Sequence, residues 1–485
     1  MASAGKRIAA ESESAPPKRL KRGVAVAAEG TRKNDDKAHD KNGDVGFHLT
    51  QLKNAPEAHN QDTVGIADLL AGEFTKVLLT NYMFDMPWLF GECPRLHDVP
   101  VLLVHGERDR LAMANECKGY TNVSLVAPYL PIPYGTHHTK MMVVVYPTKV
   151  RVAIFTANFI AIDWNNKTQG VWFQDFELKT LDDDDDAERK ECASNHNADG
   201  SNSVALDFEA DLVGYLSRLG TKVTAFCKEE LVRFDFSTAK VALVPSVPGV
   251  HTGKGMHAFA IYFSSMGSLD EKWLFGEFAA SLLPGKKGIT ATSAPIQAFH
   301  IVWPSVDDVR NSIEGWNAGR AVPCPLKNMK PFLHKYLRKW NPPEALHRKN
   351  AMPHIKTYAR VDASSEHSGA LDWAILTSSN LSKAAWGVFQ KNQTQFMIRS
   401  YELGVMFLPQ LLPASTAFTV IGSKAAAINA GTGISSVSGI SQRPYVLPLP
   451  YGFPIKTYDP KVDEPWVWDL VRDEPDIFGS GYFPR

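Results

Sequence analysis

The sequence has no excess of either charge: Lys plus Arg number 52 and Asp plus Glu number 52, a formal net charge of zero over 485 residues. Bulk attraction to nucleic acid or to an anionic membrane is thereby excluded as the main driving force, and any polyanion has to be met by a local patch. Cysteine is scarce as well. The five residues, Cys93, Cys117, Cys192, Cys227 and Cys324, form no C-x-x-C pair, which argues against a zinc knuckle or a disulfide framework and fits a reducing compartment. Long apolar runs are missing: the run from Met141 to Val145 is far shorter than the roughly 18 residues that suggest a membrane span. The N-terminus shows no signal-peptide apolar core, so the expectation is a soluble, intracellular chain with no membrane partner. With 44% hydrophobic and 21% charged residues, the composition is that of ordinary globular protein, long enough for two or three packed domains.

Residues 1–60 are poor in aromatic and β-branched side chains and are read as a disordered tail, because such a composition cannot bury enough apolar surface to offset chain entropy. Within it, Pro16-Pro17-Lys18-Arg19-Leu20-Lys21-Arg22 is a basic cluster of the nuclear-import type, and the expected location is the nucleus. From Thr63 onward, short apolar runs (Lys76 to Thr80, Val99 to Val104, Met141 to Val145, Val152 to Phe155) bounded by Gly, Pro and Asn read as buried strands. An acidic, low-complexity stretch over about 182–203 reads as a surface insertion. Pro245-Ser246-Val247-Pro248-Gly249 is the best break between lobes, giving a first lobe over 61–247 and a second over 248–485. Ser423 to Gly439 and the Pro-rich Arg443 to Pro460 are expected to be surface loops.

The most informative feature is a doubled arrangement. In the first copy, Gly135-Thr136-His137-His138-Thr139-Lys140 runs into an apolar strand, a short turn at Pro147-Thr148-Lys149, and a second apolar strand ending in Thr156-Ala157-Asn158. A hairpin centred on Thr148 puts His138 opposite Asn158 and Lys140 opposite Thr156, with even-numbered positions sharing a face. In the second copy, His354-Ile355-Lys356-Thr357 is followed by a longer polar connection and by Thr377-Ser378-Ser379-Asn380, and the same mirror relation sets His354 opposite Asn380. One H-x-K triplet is worthless as a signal, since it arises by chance on any exposed strand. Two copies with matched geometry are not. The trio suits a phosphate diester: Lys brings a point charge, the Asn amide donates to a non-bridging oxygen, and a neutral His attacks phosphorus or carries a proton. Two trios facing one another would surround one phosphate and need no metal, and no cofactor is expected.

These residues, with Ser379-Asn380-Leu381-Ser382-Lys383-Ala384-Ala385-Trp386-Gly387, closely resemble the tyrosyl-DNA phosphodiesterase family of the phospholipase D superfamily. The wider superfamily motif H-x-K-x4-D is altered here, because Val145 and Val361 stand at the Asp positions, as in the tyrosyl-DNA branch; a lipid phosphodiesterase is therefore the runner-up. A catalytically silent DNA-binding scaffold is the other alternative, disfavoured because it has no need of two imidazoles and two lysines.

The resemblance implies an α/β fold of two similar lobes, each a mixed sheet between helices, forming a pseudo-dimer in one chain with the site at the junction. It implies His138 as nucleophile, His354 as acid and then base, and Lys140, Lys356, Asn158 and Asn380 as stabilisers of charge on phosphorus. Asp163, Gln169 and Glu402 match further family positions; Gln169 and Glu402 would orient the two imidazoles, in an order that the sequence leaves open. Tyr134 would stack a base, Ser265 and Ser268 would contact the DNA backbone, and Ser382, Lys383 and Tyr82 would line the groove. The implied substrate is a DNA 3′ phosphate linked to tyrosine, at single-stranded 3′ ends or duplex ends, carrying a topoisomerase-derived peptide. The implied enzyme works as a monomer.

Overall fold

Runs such as Met141 to Val145, apolar at every position rather than at alternate ones and rich in β-branched residues, suit strands covered on both faces. The computed structural model, which describes residues 45–180, 207–252, 266–282, 299–361, 370–412, 417–421 and 444–484, buries all five of those residues. They form β5 of a seven-stranded sheet made of β1 (His48–Leu49), β2 (Lys76–Asn81), β3 (Val101–His105), β4 (Val123–Val126), β5 (Met141–Val145), β6 (Lys149–Phe155) and β7 (Gly170–Glu177). The order across the sheet is β1-β7-β6-β5-β2-β3-β4, with β2, β3 and β4 parallel and the remaining neighbours antiparallel. Met142, Val144, Ala153 and Phe155 pack on one face with residues of the helices Ile66–Leu69 and Met86–Glu92. Met141, Val143, Val150, Val152 and Ile154 pack on the other with the helices Phe208–Leu216 and Thr221–Glu230, in a core continuous with that of the second lobe.

The second lobe is built on β8 (Ala242–Ser246), β12 (Thr357–Val361), β13 (Ala370–Thr377), β16 (Glu402–Phe407), β17 (Phe418–Val420) and β18 (Tyr445–Leu447). Its order is β18-β17-β13-β16-β8, with β12 also on β13. Two smaller sheets accompany it: β9 (Gly249–His251) with β14 (Val388–Gln390) and β15 (Gln395–Ile398), and β10 (Ile301–Trp303) with β11 (Leu337–Lys339). The class is α/β, with two sheet-centred lobes in one chain, each carrying one H-x-K hairpin.

Three boundaries differ from the sequence reading. Residues 45–60 are folded rather than tail: Val45, Phe47, Leu49 and Leu52 are buried, and β1 pairs with β7. The break at Pro245 to Gly249 is a turn inside the second lobe, since β8 already pairs with β16; the crossing comes before Ala242. Residues 444–460 are not a surface loop throughout, because β18 pairs with β17 and Leu447, Leu449 and Tyr451 are buried. The basic cluster at Lys18 to Arg22, the 182–203 insertion and the stretch 423–439 lie outside the described residues.

The hairpin register is also displaced by one. Met141 pairs with Ile154 and Val145 with Val150, because the chain reverses about two central residues, Pro147 and Thr148, closed by Tyr146 N–H donating to Lys149 O at 2.8 Å. Lys140 therefore stands across from Phe155, whose N–H it accepts at 3.1 Å, and even positions of one strand share a face with odd positions of the other. The second copy is displaced identically: Thr357 pairs with Leu376, and Thr377 N–H reaches Lys356 O at 3.0 Å.

Candidate active site

Both hairpins end at the seam between the lobes, and the seam is sewn by two matching pairs of backbone hydrogen bonds. His138 N–H donates to Tyr401 O and Tyr401 N–H to Thr136 O, both at 2.9 Å; His354 N–H donates to Thr168 O and Thr168 N–H to Met352 O, both at 3.0 Å. Each histidine-bearing segment thus pairs with the segment of the opposite lobe that precedes Glu402 or Gln169. That crossing answers the question left open by the sequence: Glu402 serves His138 and Gln169 serves His354. Glu402 Oε2 lies 3.0 Å from His138 Nδ1, and Ser378 O lies 3.1 Å from the same nitrogen. The Gln169 amide stands 2.9 Å from His354 Nδ1.

Each partner is itself held by the hydroxyl that opens a triplet ending in Asn. Thr156 Oγ1 donates to Gln169 Oε1 at 2.8 Å and accepts from Gly170 N–H at 3.0 Å. Ser378 Oγ donates to Glu402 Oε2 at 2.5 Å and accepts from Leu403 N–H at 3.0 Å. Asp163 fixes the other triplet member, accepting from both the backbone N–H (2.9 Å) and the side-chain amide (2.8 Å) of Asn158. Asn158 reaches the seam by this tether after the chain leaves the ladder at Phe155, not by facing His138 across a hairpin. Asn380 closes the corresponding triplet of the second copy, beside Leu381, whose carbonyl accepts Gly267 N–H at 3.2 Å.

The lysines are fully buried, and each donates to the carbonyl of its own histidine: Lys140 to His138 O at 3.0 Å and Lys356 to His354 O at 2.5 Å. Burial of two ammonium groups has an electrostatic consequence. Desolvation draws the Lys140 pKa down to about 8, and desolvation with the neighbouring Lys140 charge draws Lys356 well below its ordinary value. Desolvation also lowers both imidazoles. His138 is partly restored by Glu402, whereas His354, with the Gln169 amide at 2.9 Å and the Asp163 carboxylate farther off at 3.5 Å from Nδ1, feels Lys356, Lys140 and Lys167 as further lowering charges. Burial therefore favours the neutral form of both rings in the unliganded protein. Because the two atoms nearest His138 Nδ1 are acceptors, that nitrogen carries the proton and Nε2 presents its lone pair.

His137, adjacent in sequence, is excluded from this chemistry: it is 1% exposed, 2.6 Å from Thr80 Oγ1, and desolvation draws its pKa down to about 3. Tyr82 lies beside His138, with ring centroids 5.7 Å apart. Tyr134 is 87% exposed at a φ of 61°, a ring offered to solvent at the rim. Ser268 is exposed, and Ser265 lies outside the described residues. Ser382 caps the helix Lys383–Trp386, whose four residues make a weak dipole. The Lys383 ammonium is engaged by Asp270 at 2.5 Å, so it is less available to a phosphate than its position suggests. Trp466 is fully buried. Sequence reasoning missed the Thr156 and Ser378 hydroxyls as anchors, and missed the buried Lys167–Glu314 pair, with Nζ to oxygen distances of 2.8 and 2.9 Å, that crosses the seam beside Asp163. The Thr/Ser–x–Asn triplets were the signal for the first; nothing local marks the second.

A family model described as tyrosyl-DNA phosphodiesterase matches residues 46–459. The chain belongs to the tyrosyl-DNA phosphodiesterase family. It is 39% identical to tyrosyl-DNA phosphodiesterase 1 of Arabidopsis thaliana, over 90% of this chain and 76% of that protein. It is 29% identical to the Drosophila melanogaster protein of the same name, over 87% and 73%. The crystal structure of the yeast tyrosyl-DNA phosphodiesterase superposes with a TM-score of 0.61 at 18% identity, covering 87% of this chain and 99% of that one, a likeness of fold. Family membership makes the chain a phosphodiesterase of the hydrolase class, and the two-lobe architecture implied by the sequence resemblance is the one observed.

Proposed function

We propose that the chain hydrolyses the bond between a DNA 3′ phosphate and a tyrosyl residue, the lesion left by a stalled type IB topoisomerase, and less selectively other 3′ adducts, through a covalent phosphohistidine. The observation that carries the reading is the meeting of two equivalent His–Lys–Asn sets across one seam. In the first step the neutral His138 Nε2 attacks phosphorus, the P–O bond to tyrosine breaks, and His354, protonated when the diester anion is bound, delivers its proton to the departing oxygen and is left neutral. Glu402 holds the positive charge that grows on His138, and the two Lys–Asn pairs hold the negative charge on the non-bridging oxygens. In the second step His354 takes a proton from water, whose oxygen displaces His138. The Gln169 amide at His354 Nδ1 adds no charge of its own, and the Asp163 carboxylate 3.5 Å from the same nitrogen is shared with Asn158 and Lys167.

Tyr134, Ser268, Ser382 and Tyr82 are assigned to the DNA and peptide approaches on either side, and the nucleus is the proposed site of action. The deciding assay is a 3′-phosphotyrosyl oligonucleotide, single-stranded or at a duplex end, set against phosphatidylcholine, both in excess EDTA. Cleavage of the oligonucleotide alone is expected. Lipid hydrolysis, no turnover of either, or a rate restored only by Mg²⁺ or Zn²⁺ would each overturn the reading.

Lys140 dictates a pH dependence. A diester anion between the lysines favours their charged forms, so binding takes up a proton once the free enzyme has begun to lose it, above about pH 8. Affinity of the His138→Ala protein for a 3′-phosphotyrosyl oligonucleotide should be higher at pH 7 than at pH 9. Above pH 8 it should then fall by up to about tenfold per pH unit for each proton taken up. Fluorescence anisotropy at constant ionic strength reads this directly.

The tail makes a separate prediction. Every proposed site residue lies beyond residue 60, yet residues 45–60 are part of the first sheet, so removal of 1–44 should leave cleavage intact while removal of 1–60 should destabilise the fold. Fused to a reporter too large for passive entry, the chain lacking 1–44 should lose nuclear accumulation. Retention of the signal would refute the import role of Lys18 to Arg22.

A further inference from the structure

Away from the seam, the second lobe contains a cavity of about 300 Å³ lined by five aromatic residues. Trp273 and Phe278 stack at 4.8 Å, and Phe278 meets Trp386 edge-on at 6.0 Å, forming one side. Phe389 and Phe396, 5.0 Å apart, form the other. The sides join at Gly387, whose carbonyl accepts Trp273 Nε1–H at 2.8 Å. A side chain there would strike the Phe396 ring, since a Cβ would lie 2.4 Å from it. Trp273, Phe278 and Trp386 are buried as the floor, while Phe389 and Phe396 are half-buried walls.

One charged side chain lines this cavity among the described residues, and it is acidic. Glu277 Oε2 accepts Phe389 N–H at 2.9 Å, which pins the carboxylate to the wall where the two aromatic sides approach. Glu277 sits on the segment Lys272–Ala279, a π-helix of eight residues. The wider winding is uncommon and recurs at functional sites. None of these residues enters the phosphodiester chemistry.

Aromatic rings, of which Phe389 and Phe396 are the more open, and one fixed carboxylate, with no lining cation among the described residues, favour positive charge over phosphate. We infer that this cavity binds the cationic side chain of a lysine or arginine presented by a protein partner. Aromatic rings attract a weakly hydrated cation most, so methylation of that lysine should strengthen binding. A nucleobase could also stack on the rings, but its phosphates would face the Glu277 carboxylate.

The test uses the full chain and three probes: tetramethylammonium as the cation, neopentyl alcohol as its neutral counterpart in size, and thymidine monophosphate as the nucleotide. Isothermal titration calorimetry and tryptophan fluorescence should show saturable binding of tetramethylammonium and none of neopentyl alcohol, and any binding of thymidine monophosphate, which the seam also offers, should persist in Phe396→Ala. Peptides carrying trimethyllysine, lysine or arginine should then bind in that order or with arginine first, and an alanine peptide should not. Glu277→Gln keeps the acceptor for Phe389 N–H and removes the charge, so it should weaken cation binding by at least about tenfold while cleavage of the phosphotyrosyl oligonucleotide stays unchanged. Phe396→Ala should abolish the signal. Equal binding of the neutral probe, nucleotide binding that is lost in Phe396→Ala, no saturable binding of tetramethylammonium, or an undiminished signal in Glu277→Gln would each overturn the inference. Because cleavage is measured on the same preparations, failure of the proposed catalytic function is scored separately.

Discussion

His138→Ala should abolish cleavage of a 3′-phosphotyrosyl oligonucleotide and leave no covalent species, whereas His354→Ala should cleave slowly and accumulate protein joined to the DNA 3′ end. The difference follows from which bond each ring handles. Without His138 there is no nucleophile, and no other imidazole can replace it: His137 is buried against Thr80, and His354 is held by Gln169 in the opposite lobe. Without His354 the nucleophile, its Glu402 partner and both lysines remain. A tyrosyl leaving group with a pKa near about 10 departs partly unaided, while the second step still lacks the base that activates water. General acid–base assistance of this kind is worth about 10²- to 10⁴-fold, which is the expected loss in turnover. Denaturing gels check both outcomes, the adduct running as a slow, heat- and acid-labile band. Seeing the band with His138→Ala and not with His354→Ala would reverse the roles. Seeing it with neither, despite measurable turnover of His354→Ala, would argue against a covalent intermediate.

The trios were legible because they interrupt otherwise unbroken apolar runs, and because they occur twice. Their exact facing was not, since register depends on whether a turn has one or two central residues, and Pro147-Thr148 does not announce which. The pairing of Glu402 with His138 was illegible for a different reason: the two lie 264 residues apart and meet only because the hairpin of one lobe docks on the edge of the other. Composition misled at residues 45–60, where Val45, Phe47 and Leu49 alternate as a strand should but were averaged into a long polar tail. In His137-His138, two identical residues acquire opposite fates from a single step along the chain. One turns into the core and the other into the seam, a distinction that strand alternation carries only once the buried face is known.

Lys167→Ala should be the most destabilising single change at the seam, costing about 3–5 kcal/mol near neutral pH. Lys167 and Glu314 are each 3% exposed, so removal of the ammonium leaves a buried carboxylate without its partner. Burial already pushes the Glu314 carboxyl above its usual range even with Lys167 present, and loss of the partner raises it further. A folded-state pKa above the unfolded one means that stability is fully present below the unfolded pKa and is lost as pH rises through the folded pKa. The variant should therefore be closest to the parent near pH 4 to 5 and fall behind it toward pH 8. Urea unfolding across that range is the measurement, and a pH-independent deficit would show that lost packing, not the stranded charge, is responsible. Replacement of both partners, Lys167→Met with Glu314→Leu, should recover most of the loss, because an apolar pair of similar size carries no desolvation penalty. The recovered protein should still differ in function. Lys167 is one of the charges that lower His354, and its ammonium lies 3.9 Å from Asp163 Oδ1, so the double variant should raise the pKa of the proposed acid–base. The limbs of the pH profile that His354 sets, as acid in the first step and as base in the second, should move upward with it, separating the pair's part in tuning the site from its part in holding the lobes together.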